Sequence, residues 1–408
     1  MSQGAVPTVS ARSEFRASWR AVAGSFLGIA GGFSSLFFYS VGLFLRPMAT
    51  EFGWSRGEAS LQAVAIAVAN VIAVPVAGRL VDRIGPLRPA VFSLLALSAG
   101  FVMLGTLVHG LASFLILSGV VTMLSAASNP VAFNRILVAR FRSGRGLALG
   151  VALTAIGVGA TLLPLVLGPL IAAAGWRTAY LALAAVIFPF LAGMIVLLGG
   201  MDDRPAVRSP SVPIRSVVFC RAFATIGLLI FLIAFPVLGT VVHLVPMLSD
   251  RGMSAVEAAR IASALGIAVI GGRVLTGRLL DLADAAIVTA GILMLSATGM
   301  LLLLSGKPAL LVPGAMLAGF GLGCESDLIA FLVGRHFPLS SFGTAYGCIF
   351  AAHVVGAGIG PYLAGVMYDA NGDYTAWLAL ATCSLLAAAV LAMLTERGHV
   401  GAREPQGV

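Results

Sequence analysis

Arg273, His353, Glu325 and Asp327 are ionisable side chains set in long apolar runs, where an unpaired charge is expensive. Arg273 stands inside Ile270-Gly271-Gly272-Arg273-Val274-Leu275. An arginine at mid-helix costs roughly 2.5–3.5 kcal/mol on insertion scales, so it is expected to face a wet cavity. Its planar, permanently charged guanidinium can hold a carboxylate with two parallel hydrogen bonds. Two structural readings compete with that one: an ion pair with Glu325 or Asp327, or a side chain snorkelling to the nearer interface. His353, in Phe350-Ala351-Ala352-His353-Val354-Val355, can carry a proton near neutral pH or add positive charge beside an anion. It also fits a neutral hydrogen bond to a neighbouring helix. Glu325 and Asp327 are two positions apart and so point to different faces of a helix. One is a candidate proton carrier and the other a counter-ion, and residue type does not rank them. Tyr39 and Tyr346 are polar groups on the same apolar ground and complete the candidate substrate site. Asn70, Asn129 and Asn134 fit helix–helix hydrogen bonds as well as ligand contacts.

The elements that must position these groups are membrane-spanning helices. Of 408 residues, 59% are hydrophobic and only 10% charged, with a mean hydropathy of +1.04. A soluble domain carries about 25% charge. Runs of roughly 20 apolar residues suit a bilayer core, and twelve such runs are expected, over 21–46, 59–80, 89–109, 112–134, 145–171, 178–199, 222–247, 256–280, 285–305, 309–333, 342–367 and 375–395. The first run is too long for a signal-peptide core and reads as a helix. The net charge of +9 is a matter of topology. With the N-terminus inside, Arg46, Arg56, Arg177, Arg251, Arg260 and Lys307 fall outside; Arg273 aside, the other eighteen basic residues fall on the inner side, as the positive-inside rule requires. A nucleic-acid partner is then unnecessary. Cys220, Cys324, Cys348 and Cys383 are isolated packing residues. No metal-ligand cluster, nucleophile–base pair or phosphate-cradling loop is legible, so neither an enzyme, a metal nor a cofactor is expected.

The two halves of the chain repeat one another. Gly78-Arg79-Leu80-Val81-Asp82 after the second run returns as Gly277-Arg278-Leu279-Leu280-Asp281 after the eighth, and Gly168-Pro169 in the fifth returns as Gly360-Pro361 in the eleventh. Such parallel repetition marks transporters built of two related bundles. Gly150, Gly157, Gly159 and Gly168, with Gly356, Gly358 and Gly360, suit close helix packing or pivots between the halves.

The first of these repeats continues as Gly78-Arg79-Leu80-Val81-Asp82-Arg83-Ile84-Gly85-Pro86-Leu87-Arg88, and it resembles the G-x-x-x-D-R-x-G signature of the major facilitator superfamily. Tyr39 to Met48, Glu51 to Arg56, Gly175-Trp176-Arg177, His243 to Pro246, Glu325 to Leu328, Arg335 to Phe337 and Tyr368 to Tyr374 are together similar to its bacterial monocarboxylate-transporter and oxalate/formate-antiporter branch. The resemblance implies that Arg273 binds a substrate carboxylate and that the region of His353 holds a titratable group. It implies that Gly78, Asp82, Arg83, Gly85 and Arg88 form a cytoplasmic gating latch. Two positions depart from the animal transporters: Tyr39 stands where they carry Lys, and Val269 where they carry Asp, so proton coupling through that pair does not transfer.

The expected fold is an all-α membrane protein of twelve transmembrane helices in two pseudo-symmetric six-helix bundles, 1–200 and 222–408, joined by a cytoplasmic loop over 201–221. The expected function is secondary transport of a small monocarboxylate-like organic anion by alternating access, with proton-coupled uptake. Carboxylate exchange, drug efflux and non-transporting sensing of organic acids are its rivals. The partners are then the acid, protons and the lipid of a bacterial inner membrane, for a monomer with both termini in the cytoplasm.

Overall fold

The computed structural model describes residues 11–141, 144–201, 220–337 and 342–397, so most of the 201–221 loop lies outside the described residues, as do the side chains of Asp82, Arg278 and Asp327. Everything regular in it is helical: α1 (Ala11–Ala30), α2 (Phe38–Phe52), α3 (Arg56–Ile84), α4 (Leu87–Leu107), α5 (Leu111–Ser125), α6 (Pro130–Arg140), α7 (Arg145–Leu198), α8 (Arg221–Asp250), α9 (Ala255–Leu282), α10 (Ala285–Leu304), α11 (Pro308–His336), α12 (Phe342–Asn371) and α13 (Thr375–Arg397). Backbone groups in hydrocarbon must be satisfied within the segment, which is why apolar runs of this length become helices. Nine of these segments are long and apolar enough to cross a bilayer, and ten with the bent pair α1–α2 counted as one. The 54-residue α7 is two arms folded at Gly175, whose φ of +80° only glycine adopts without strain. Counting both arms, and α11 with its shorter apolar stretch, the described residues supply helices enough for twelve crossings.

Two of the runs expected to be continuous are broken in mid-span. The first passes from α1 through a π-helical turn at Phe33–Phe37 into α2, bent by 43°. The fourth is interrupted by a short 3-10 turn, Ala126–Ser128, between α5 and α6. The breaks satisfy one another: Phe33 N donates to Ser128 Oγ (3.1 Å) and Ser34 Oγ to Asn129 Oδ1 (2.7 Å). Asn129 thus serves helix packing.

One buried core runs from Ala21 to Leu198 and takes in Val242, and a second runs from Ile226 to Ala392. Outside them, Ile72, Ile116, Val166 and Val196 are each more than half exposed, as a lipid-facing surface demands. Capping boxes open α3 at Ser55 and Glu58 and α9 at Ser254 and Glu257, 199 positions apart like Gly78 and Gly277. The repeat therefore reaches hydrogen-bond detail. Among the interface glycines, Gly157, Gly168 and Gly358 do lie against the opposite half, at Ile270, Ala259 and Ala67. Gly159, Gly356 and Gly360 instead pack within their own halves, on Ser35, Ala234 and Phe235, so a pivot role at those three is corrected to plain helix packing.

Candidate functional site

Arg273 and Glu325 are brought together by a backbone contact. Gly319 and Gly323, one turn apart on α11, lie against Leu265 and Val269 of α9, and a β-carbon at Gly323 would overlap the Val269 carbonyl and lie 3.1 Å from Arg273 N. Small residues spaced by four let helix backbones approach closely. Glu325 follows two positions later, so the contact that seats α11 also delivers its carboxylate beside Arg273's helix. Gly323→Leu should prise α11 from α9; overpacking of this kind costs about 1–3 kcal/mol. A lowered thermal midpoint in detergent, with ligand binding lost, is the expected result.

Both charged groups are buried, Arg273 at 8% and Glu325 at 1% relative exposure. Glu325 Oε1 accepts from His353 Nδ1 on α12 at 2.7 Å, while Glu325 Oε2 and Arg273 Nη1 are buried with no hydrogen-bond partner among the described residues. A buried guanidinium and carboxylate with free valences at the membrane interior are costly as they stand. Tyr346, Phe350 and His353 share one face of α12, with ring centroids 6.2 Å and 5.0 Å apart along the stack. Tyr39, on α2 of the other half, is within electrostatic reach of both Arg273 and Glu325. The structure thus gathers Arg273, Glu325, His353 and Tyr39, and puts Tyr346 on the His353 face. Glu325 has an imidazole partner in His353. Asp327's side chain lies outside the described residues.

Tyr39 also borders a cavity of about 30 Å³ between the halves, with Gly42, Ala160, Val241, Leu244 and Ala262 among its walls. That is room for about one water and too little for an organic acid. Beyond it the face bearing the start of α3 is sealed. His243 is buried there with three polar contacts: Ser60 Oγ (3.0 Å), the Pro361 carbonyl (2.9 Å) and Tyr374 OH (2.8 Å). A carbonyl only accepts, so Nε2 carries the hydrogen and Nδ1 accepts from Tyr374. Burial holds the Tyr374 phenol well above its usual range, which keeps it a hydroxyl able to donate. Ser60 and His243 lie on different spans and Tyr374 in the turn before α13, so residue order does not show that the three meet.

At the opposite face, α3 and α4 meet at Gly85 (φ +86°), with Arg83 and Arg88 exposed beside it. Arg135 of α6 donates to the Val81 carbonyl at the end of α3, so a neighbour in the same half supports the loop. Among the described residues Gly78 has no neighbour that a β-carbon would meet, and Asp82's side chain lies outside them.

A buried cation, a carboxylate–imidazole pair and two tyrosines on opposite halves form a site chemically suited to one small anion and one proton. The family model described as "Major Facilitator Superfamily" matches residues 27–338. Monocarboxylate transporter 13 of Bos taurus is 26% identical over 88% of this chain and 83% of its own length. Monocarboxylate transporter 11 of Homo sapiens is 28% identical over 58% of this chain and 53% of its own. Among solved structures, a bacterial homologue of the human lysosomal transporter Spinster, in an inward-facing and occupied conformation, superposes with a TM-score of 0.67 at 17% identity, covering 99% of this chain and 100% of that one.

Proposed function

Because the chain belongs to the major facilitator superfamily, we propose that it imports a small monocarboxylate-like organic anion by alternating access, coupled to a proton. The observation that carries this reading is Arg273 Nη1, buried without a hydrogen-bond partner among the described residues. A guanidinium in the membrane interior needs an acceptor, and a substrate carboxylate supplies one in the geometry it favours. Tyr39 and Tyr346 complete the anion site, and the His353–Glu325 pair takes the proton, since imidazole and carboxylate are both groups that accept one. The two bundles rock about this site, and Gly78, Asp82, Arg83, Gly85 and Arg88 latch the inner face when the outer one opens.

Proteoliposomes preloaded with buffer and offered labelled mono- and dicarboxylates, with and without an inward proton gradient, test it. Gradient-driven accumulation of a monocarboxylate, and none of its amide, is expected. Accumulation that needs an internal carboxylate and ignores the gradient would make the protein an exchanger.

The arginine bias supports an orientation with the 201–221 loop and both termini in the cytoplasm and the sealed face outside. His109→Cys, at the exposed turn before α5, should then react with an impermeant thiol reagent on intact cells, while Met201→Cys should not. Labelling at 201 alone would invert the orientation.

A further inference from the structure

The sealed face is closed along two seams that the internal repeat makes equivalent, and they are built differently. Where α9 meets the first arm of α7, contact is apolar and neutral: Gly168 lies on Ala259, and Ser263 Oγ donates to the Thr161 carbonyl (2.7 Å). Where α3 meets α12, the seam carries charge. Asp369 caps α3 from the opposite half, accepting from Arg56 N on Oδ1 (2.8 Å) and from Gly57 N on Oδ2 (2.6 Å). The Arg56 guanidinium reaches both oxygens of Asp250 at the end of α8 (2.8 and 2.9 Å) and lies 4.8 Å over the Tyr368 ring. One layer deeper, Ser60 meets His243. A β-carbon at Gly365 would come 2.6 Å from the Arg56 carbonyl, so the fit leaves no slack. At the positions related by the repeat, Arg56 corresponds to Ala255 and Asp369 to Arg177, whose own partner is Glu51 in the same half. Among the described residues, then, the contacts of one seam include no ion pair between the halves, and the charged cluster on the other is an addition that closure by itself does not require.

We infer that Arg56, Asp250 and Asp369 form an inter-bundle lock whose strength sets how much of the protein has this face open. Every one of these contacts joins the halves, so each must break when the face opens, and none holds either half together. Hydrogen bonds to charged groups are stronger than neutral ones, less so where exposed as Asp369 is, so the lock's effect is shared among its members. An acid arriving at this face binds only the fraction already open, so weakening the lock lowers the apparent KM there by that population factor. The inference rests on the alternating-access reading given above.

The test replaces Cys220, Cys324, Cys348 and Cys383 by serine and introduces Val245→Cys beside the cavity, then measures its rate of reaction with an impermeant maleimide at the sealed face. Asp250→Asn with Asp369→Asn should raise that rate roughly tenfold or more, and lower the apparent KM at the same face. Unchanged labelling in folded protein overturns the lock. Should the double variant fail to fold, the reversed pair Arg56→Asp with Asp250→Arg decides: slow labelling restored relative to Arg56→Asp alone upholds the pair, and labelling that stays fast overturns it. The labelling needs no substrate, so a protein that carried no carboxylate would still report its lock, and a failed lock would leave uptake through Arg273 intact.

Discussion

Arg273→Lys is expected to weaken carboxylate binding by roughly tenfold to a hundredfold while the protein stays folded, because lysine keeps the charge and loses the two-pronged donor. Arg273→Ala should abolish binding. A structural arginine predicts the reverse pattern. If Arg273 served only to neutralise Glu325, lysine would preserve its role, and Arg273→Ala would cost stability that Glu325→Gln restores. The Nη1 that finds no partner among the described residues, and the 2.7 Å bond that Glu325 already makes to His353, favour the first outcome. Equilibrium binding of a carboxylate and its matched amide, run beside thermal unfolding of each variant, separates the two. Equal affinity in the Arg and Lys proteins would remove bidentate recognition from the mechanism.

What the sequence made legible follows from how little freedom a chain has in lipid. Apolar runs must become helices, so their number, the turn at Gly175 and the place of Arg273 in mid-span could be read from residue order. The repeat of Gly78 at Gly277 was legible for the same reason, since a duplicated bundle keeps its spacing. The breaks near Gly32 and at Ala126–Ser128 were not, because they are stabilised by each other, through Phe33 and Ser128, and each run alone looks continuous. Pairings between halves were equally hidden. Arg56 and Asp369 are more than 300 positions apart and each reads singly as an interfacial charge; only the packing of α3 on α12 makes one the cap of the other. Glu325 and His353 could be named but not paired, since which face of α11 meets α12 depends on how Gly323 seats against Val269.

In the proposed mechanism the same packing sets the anion and proton sites side by side. Arg273 is anchored on α9, Glu325 on α11 and His353 on α12, all in the second half, while Tyr39 reaches in from the first. An anion at Arg273 lies in the field of Glu325, so a charged Glu325 opposes it and a protonated one does not. The proposed mechanism therefore makes binding of proton and anion mutually favourable, as linkage between neighbouring sites requires.

That coupling gives the second large effect, at Glu325→Gln. Glutamine keeps the size of the side chain and stands for its protonated form, so the loaded carrier is mimicked permanently. Exchange of labelled for unlabelled acid at equal pH, which needs only the loaded carrier to cross, should persist. Net accumulation driven by a proton gradient should fall to the level seen without one, because the variant has no proton to release before the empty carrier returns. His353→Ala should act differently. It removes the buried carboxylate's imidazole partner, a loss worth about 3–5 kcal/mol, so this variant should be less stable. A Glu325→Gln protein that still accumulates acid against its gradient, with the gradient required, would move the proton to another group; one that loses exchange as well would make Glu325 part of the anion site or its scaffold. Measured together, exchange and gradient-driven uptake place Glu325 on the proton path or off it.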